Sequence, residues 1–266
     1  MKIVRSLAEI RGLADAGARG LVPTMGALHD GHVALFEAAR GECDLVVTSV
    51  FVNPAQFGPG EDFGSYPRDE AADAQIAERA GVDILFMPSV EELYPEGYET
   101  WVDVERASAG LEGMARPGHF RGVATVCLKL FNLVRPERAY FGQKDAQQAA
   151  VLTRMVADLN LELEIRVVPT VRDGDGLALS SRNAYLSAPE REAAAALPRA
   201  LFAGRDAHLD GKDAVAAGRA VLAGEPLLAP DYLEIARFDG RVHLVAAVRA
   251  GRTRLIDNVV LEGELR

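Results

Sequence analysis

The chain has 266 residues, 49% of them apolar, and its 29 Lys and Arg against 39 Asp and Glu leave a net charge of −10. That length suffices for one large domain or a medium domain with a smaller one, and the acidic balance excludes a general nucleic-acid-binding surface while leaving room for a local phosphate pocket. No run approaches the roughly 20 apolar residues of a membrane span, and MKIVRSLAEI at the start lacks the apolar core and small-residue cleavage site of a secretory signal, so a soluble cytoplasmic protein is expected.

Leu21-Val22 ends a short strand, Pro23 and Gly26 set a turn, and Asp30 or Gly31 opens a helix through Ala34–Ala39. DLVVTSVFV (44–52) is a near-continuous β-branched run of the kind buried on both faces of a parallel sheet. An amphipathic helix over Asp69–Ala80 precedes a second such run, VDILFM (82–87). A strand at Arg138–Phe141 leads into a helix at Ala146–Leu159 and a further strand, LELEIRVV (161–168). This alternation predicts an α/β fold: a Rossmann-like, doubly wound parallel sheet over residues 1–173. In such sheets ligands bind outside the carboxyl ends of the strands. Cys43 and Cys127 lie beside apolar runs and read as buried free thiols of a reducing compartment.

After the turn Asp173-Gly174-Asp175-Gly176 the pattern changes. Helices over Pro189–Ala203 and near Asp213–Ala223 precede three closely spaced strands at 231–238, 243–248 and 254–261. Gly turns between them predict antiparallel pairing, and so a smaller C-terminal α+β domain over 174–266 that closes over the site.

The densest chemical signal is PTMGALHDGH (23–32), a glycine-bearing strand-to-helix turn that aims backbone N–H groups and a helix N-terminus at an anion. His29 and His32 share one side of the first helical turn and can donate to a phosphate gaining charge. A capping or packing histidine and a zinc pair are the competing readings. In FGQKD (141–145) Gly142 permits close approach, Lys144 offers a point charge, and Asp145 suits either ribose hydroxyls or a helix cap, with Gln148 one turn on. LSSRN (179–183) suits a clamp on departing phosphates or a simple turn. FVNPAQFGPGEDFGSYPRD (51–69) reads as a mobile wall carrying Gln56, whose amide can bind a hydroxy acid. RPGHFRGVATV (116–126) adds His119 and Arg121, whereas His208 and His243 read as structural or solvent-facing.

PTMGALHDGH resembles the HxGH signature of the nucleotidyltransferase superfamily. With SVFVNPAQFG (49–58), RPGHFRGVATV, FGQKD, SSRN and GRTRLIDN (251–258) it occurs in the order found in pantothenate synthetases, over nearly the whole chain. The resemblance implies an ATP site on Met25, Gly26, Ala27, Leu28, His29, Asp30, Gly31 and His32, on Gly142, Gln143, Lys144 and Asp145, and on Val171, Leu179, Ser180, Ser181 and Arg182. It makes His32 the proton donor, with His29 and Lys144 also catalytic, and assigns Gln56 and Gln148 to pantoate and Gln56 to β-alanine. It further implies Mg²⁺, with no protein ligand assigned to it, and a homodimer. Gln143 stands where many members have Glu, and Leu179 where many have Met. The implied reaction is ATP-dependent joining of pantoate to β-alanine through a pantoyl adenylate, and the motifs hold no nucleophile–base pair that would need acylating. Another HxGH nucleotidyltransferase and a non-catalytic nucleotide-binding regulator are the alternatives.

Overall fold

The computed structural model describes residues 1–13 and 17–264, and their contacts divide the chain into two units. The first comprises Met1–Phe141 and Gln147–Val168, the second Gly142–Ala146 and the chain from Pro169 onward. In chain order the elements up to residue 168 are β1 (Lys2–Val4), α1 (Leu7–Arg11), β2 (Arg19–Thr24), α2 (Asp30–Glu42), β3 (Leu45–Val50), α3 (Glu70–Arg79), β4 (Ile84–Phe86), α4 (Val90–Leu93), α5 (Leu111–Ala115), α6 (His119–Val134), β5 (Arg138–Gly142), α7 (Ala146–Asp158) and β6 (Glu164–Val168). The strands form one six-stranded sheet in the order β1-β4-β3-β2-β5-β6. The ladders of β1 with β4, β4 with β3, β3 with β2 and β2 with β5 are all parallel. From β2 the chain winds outward through β3 and β4, then returns to lay β5 against the other side of β2. The winding direction reverses there, so the switch point, where such sheets bind ligands, lies at the carboxyl ends of β2 and β5.

Both faces of this sheet are covered, as the apolar runs predict. Alternate strand residues feed opposite faces. Leu21, Val47 and Phe86 pack into a core with Val123, Cys127, Leu130 and Phe131 of α6. Val22 and Val46 pack on the other side with Phe36 and Ala39 of α2 and Ala77 of α3. Each such apolar side chain contributes roughly 1.5–3 kcal/mol when fully buried. Helix α6 and the short β1 have no counterpart in the sequence reading, although α6 is amphipathic: Arg121, Leu128, Lys129 and Asn132 share the outer face and the rest of the helix is buried. Pro23 lies inside β2 rather than in the turn. It is tolerated because β5 pairs only with Gly20 and Leu21, so no ladder donor is required from residue 23 on that side. Cys43 and Cys127 are both free and buried.

The second unit continues with α8 (Ala188–Ala194), α9 (Ala196–Leu209) and α10 (Ala214–Ala223), followed by β7 (Leu228–Phe238), β8 (Arg241–Ala250) and β9 (Thr253–Glu262). The three strands form an antiparallel meander. Leu197, Leu201, Leu222, Leu233, Leu244 and Val259 make its core. The single helix expected at Pro189–Ala203 is two, divided at Ala195, and the second runs on to Leu209. Pro198 is the cause, because it lacks the N–H that a continuous helix would donate to the Ala194 carbonyl. Among the described residues no helix is long and apolar enough to cross a membrane.

Candidate active site

In the first unit, residues 24–32 leave β2 at the switch point and enter α2. The Thr24 hydroxyl donates to the Ser49 carbonyl (2.7 Å) and accepts from the Gly26 N–H (3.2 Å). Gly26 (φ +83°) and Ala27 (φ +51°) are both left-handed. A Cβ on Gly26 would lie 2.7 Å from Asp73 Oδ2 and 3.0 Å from Val50, so the turn requires glycine for space as well as for φ. Asp73, buried on α3, accepts from the Ala27 N–H (3.1 Å) and the Leu28 N–H (2.8 Å). Those two N–H groups are therefore engaged within the fold rather than aimed at a ligand. Burial pushes the Asp73 carboxyl above the ordinary range, against the pull of these two hydrogen bonds. The Leu28 side chain joins the core and Asp30 is exposed in the first turn of α2.

The two histidines interlock at the helix start. His29 is the N-cap, and its Nδ1 accepts from the Gly31 N–H (3.1 Å). His32 Nδ1 accepts from the His29 N–H (3.2 Å), and the rings lie 4.1 Å apart at 47°. An Nδ1 that accepts carries no proton, so each neutral ring holds its hydrogen on Nε2. Capping is thus one of the jobs of both residues, and it presets them as Nε2–H donors.

A second cluster surrounds Gln56, which ends a one-turn 3-10 helix at Pro54–Gln56. Asn53 orients it: the Asn53 amide donates to Gln56 Oε1 (3.0 Å) and the Gly122 carbonyl (3.1 Å), while its oxygen accepts from the Ala55 N–H (3.2 Å) and the Tyr94 hydroxyl (3.0 Å). Gln56 Nε2 points to the Met25 sulfur at 3.1 Å. Gly122 of α6 lies so close that an added Cβ would be 2.2 Å from the Ala55 carbonyl oxygen. The Gln56 carbonyl accepts from His119 Nδ1 (2.9 Å) and Arg116 Nη2 (3.3 Å). Burial, with the Arg116 cation beside it, lowers the His119 pKa to about 4, so the ring is neutral. Arg116 also grips Glu61 with two bonds of 2.8 and 2.7 Å, which ties down one point of the 51–69 segment expected to be a mobile wall. Arg121 faces outward, 3.4 Å from Asp103 and stacked over Trp101.

Gln147 and Gln148 are adjacent on α7 and differ sharply. Gln147 is buried; its oxygen accepts from the Glu112 N–H (3.1 Å) and its nitrogen lies within 3.2–3.3 Å of the Ala107, Ala109 and Gly110 carbonyls. Gln148 is half-buried, and its side chain makes no hydrogen bond to any described residue.

In the second unit, Gln143–Asp145 form a 3-10 turn after β5. Lys144 Nζ stands 3.4 Å from Asp145 Oδ1, and Asp145 makes no capping bond to α7 among the described residues. Gly142 has an ordinary φ of −77° and open space where a Cβ would stand, so the fold does not demand glycine there. The Val171 carbonyl accepts from the Leu179 N–H (3.0 Å), closing the turn at 172–178. Arg191 holds that turn through Asp173 (2.7 Å) and Asp175 (2.5 Å). Ser180 caps the short helix Ser181–Tyr185 by accepting from the Arg182 N–H (3.3 Å).

The sequence model of the pantoate–β-alanine ligase family matches residues 2–260. A pantothenate synthetase of Chloroflexus aurantiacus is 54% identical over 99% of both chains, and one of Heliobacterium modesticaldum is 53% identical over 98% of this chain and all of its own. The chain belongs to the pantoate–β-alanine ligase family. Solved structures agree. A pantothenate synthetase from Thermus thermophilus superposes with a TM-score of 0.96 at 49% identity, over 99% of this chain and 100% of that one. A pantoate–β-alanine ligase from Francisella tularensis, complexed with βγ-ATP and β-alanine, superposes with a TM-score of 0.84 at 34% identity, over 99% of each chain.

Sequence reasoning about this pantoate–β-alanine ligase missed four supporting residues: Asn53, Asp73, Arg116 and Asn258. Asn53 lies three residues before Gln56 and heads a Pro-containing turn, a capping signal that could have been read. Asp73 and Arg116 act across 45 and 55 residues, and Asn258 across more than a hundred, and no local pattern reports such pairings.

Proposed function

We propose that this chain makes pantothenate in two half-reactions through a pantoyl adenylate. First, a pantoate carboxylate oxygen attacks the α-phosphorus of ATP; the new P–O bond replaces the Pα–O–Pβ bond, whose electrons leave with pyrophosphate. Then the β-alanine amine attacks the acyl carbon, the C–O bond to AMP breaks, and the amine releases a proton. A carboxylate is a poor acyl donor until its oxygen belongs to a phosphate leaving group, so the order follows from the chemistry.

The observation that carries this reading is the His29–His32 pair. Both Nδ1 atoms accept backbone hydrogens, so both Nε2–H groups are preset donors at a helix N-terminus beside the switch point of the sheet. Preset donors cost no reorganisation when charge develops, and this favours the transition state. His32 and His29 donate Nε2–H hydrogen bonds to the phosphate oxygens that gain charge as pyrophosphate leaves, with Lys144 as a further charge stabiliser. ATP lies on Met25–His32, Gly142–Asp145, Val171 and Leu179–Arg182. Gln148, with its unengaged amide, and Gln56, fixed by Asn53, hold pantoate, and Gln56 also meets β-alanine. The 58–69 segment, tied by Glu61 to Arg116, shields the adenylate from water. Mg²⁺ accompanies the nucleotide, since this ion commonly keeps waters and phosphate oxygens as ligands. The buried free thiols suit a reducing, cytoplasmic compartment, and the family resemblance implies a homodimer.

Pantoate alone, without β-alanine, is expected to support exchange of pyrophosphate into ATP. Exchange that required β-alanine would exclude a free adenylate.

A further inference from the structure

We infer that Asn258, on β9, is a positioning residue that sets the Lys144 turn for adenylate formation. The inference rests on the role assigned to Lys144 above. Asn258 is buried, and its amide nitrogen donates to the Gln143 carbonyl (2.8 Å) and the Lys144 carbonyl (3.0 Å). Its oxygen accepts from His243 Nδ1 (3.2 Å) and lies 3.4 Å from Gln143 Nε2. A primary amide has two hydrogens and two lone pairs, and here all four are used. Two of the four bonds go to the main chain on either side of the Lys144 α-carbon, so they fix where that side chain starts.

His243 completes the arrangement. It is buried, its Nε2 has no hydrogen-bond partner, and Nδ1 therefore carries the proton that holds the Asn258 oxygen. The preceding residue works on another segment of the proposed ATP site. Asp257 receives two bonds from Arg172, at 2.5 and 3.0 Å, and Arg172 follows Val171 at the base of the 172–178 turn. Successive residues of one strand thus brace two loops of this unit, Asn258 through main-chain carbonyls and Asp257 through the Arg172 guanidinium, which itself donates to the Gly176 carbonyl (3.0 Å). Neither side chain need touch substrate.

The test is single-turnover kinetics of the full-length enzyme, with ATP and pantoate for the first half-reaction and supplied pantoyl adenylate with β-alanine for the second. Asn258→Ala is expected to slow adenylate formation by about a hundredfold, the usual scale for a displacement of order 1 Å, and to leave the second step within about twofold. His243→Phe keeps a ring at a buried position whose Nε2 is unpartnered, and urea unfolding checks that the variant is folded. It removes one bond to the Asn258 oxygen and is expected to slow the same step about two- to tenfold. Equal slowing of both steps, or no slowing by either variant, overturns the positioning role. The Lys144→Ala background separates the two layers of the argument. If Lys144→Ala alone is slow and Asn258→Ala adds less than about threefold to it, Asn258 acts through Lys144. Full additivity of the two defects overturns the inference while leaving the Lys144 role intact, and a fast Lys144→Ala enzyme overturns that role itself.

Discussion

Two segments of the proposed ATP site are fastened by opposite chemistry. The 24–32 turn shows spare N–H groups to its support, and the support is a carboxylate, Asp73. The 142–145 turn shows spare carbonyls, and the support is an amide nitrogen, Asn258. A buried backbone group left alone costs about 1–3 kcal/mol, so each turn dictates the polarity of its anchor. The anchors differ in charge as well. Asp73 can be ionised because two N–H donors face it, whereas Asn258 faces two carbonyls and must be neutral. Asn and Asp are nearly the same shape, so what separates the two positions is hydrogens.

Exchanging the anchors gives the sharpest test. Asn258→Asp puts a buried carboxylate against two carbonyl oxygens and is expected to cost about 3–5 kcal/mol of unfolding free energy. Asp73→Asn can still accept one N–H but sets its own NH₂ against the other, for about 1–3 kcal/mol. Urea unfolding of both variants decides, and a larger loss for Asp73→Asn would break the comparison.

Acid probes a third anchor, His119, whose Nδ1–H holds the Gln56 carbonyl. The folded pKa of about 4 lies below the unfolded value, so the unfolded chain binds more protons in between. The stability due to the neutral ring is complete above about pH 6.5. It falls as pH drops towards 4, by about 3 kcal/mol in all. His119→Gln should flatten this part of the stability profile, and an unchanged slope would show that other groups set it.

Gly26→Ala examines the close approach of Asp73 to its turn. A left-handed alanine costs about 1–2 kcal/mol, and the new methyl also displaces the Asp73 carboxylate. Both unfolding and the first half-reaction should register it, whereas Gly142→Ala, at an ordinary φ with open space, should leave stability unchanged. The adjacent glutamines give the smallest expected effect on the fold. Gln147→Ala should lower stability through its lost partners. Gln148→Ala should leave unfolding unaltered and weaken pantoate binding by about 1–3 kcal/mol, read by calorimetry. Equal behaviour of the two would mean that the bonding contrast on α7 carries no function.

Much was legible in the sequence because it is locally encoded. The β-branched run at 44–52 is of the kind buried on both faces of a parallel sheet, and β3 lies there, while the 69–80 periodicity returns as α3 with Asp69 as its cap. Gly26 and the histidine spacing announced a turn entering a helix. One failure fell where a partner decides the outcome, since Pro23 is inside β2 because β5 stops pairing before it; the other was local, since the helix around 195 divides because Pro198 cannot donate. The sequence by itself determined the α/β sheet, the antiparallel meander, and the residues capable of phosphate chemistry, since periodicity, turn residues and residue type are local properties. Only the tertiary structure decided which of two neighbouring glutamines keeps an unengaged amide, and that Asp73 and Asn258 hold the turns. A hydrogen bond between residues 45 or 114 positions apart depends on where folding brings their atoms, and nothing in the intervening residues records it.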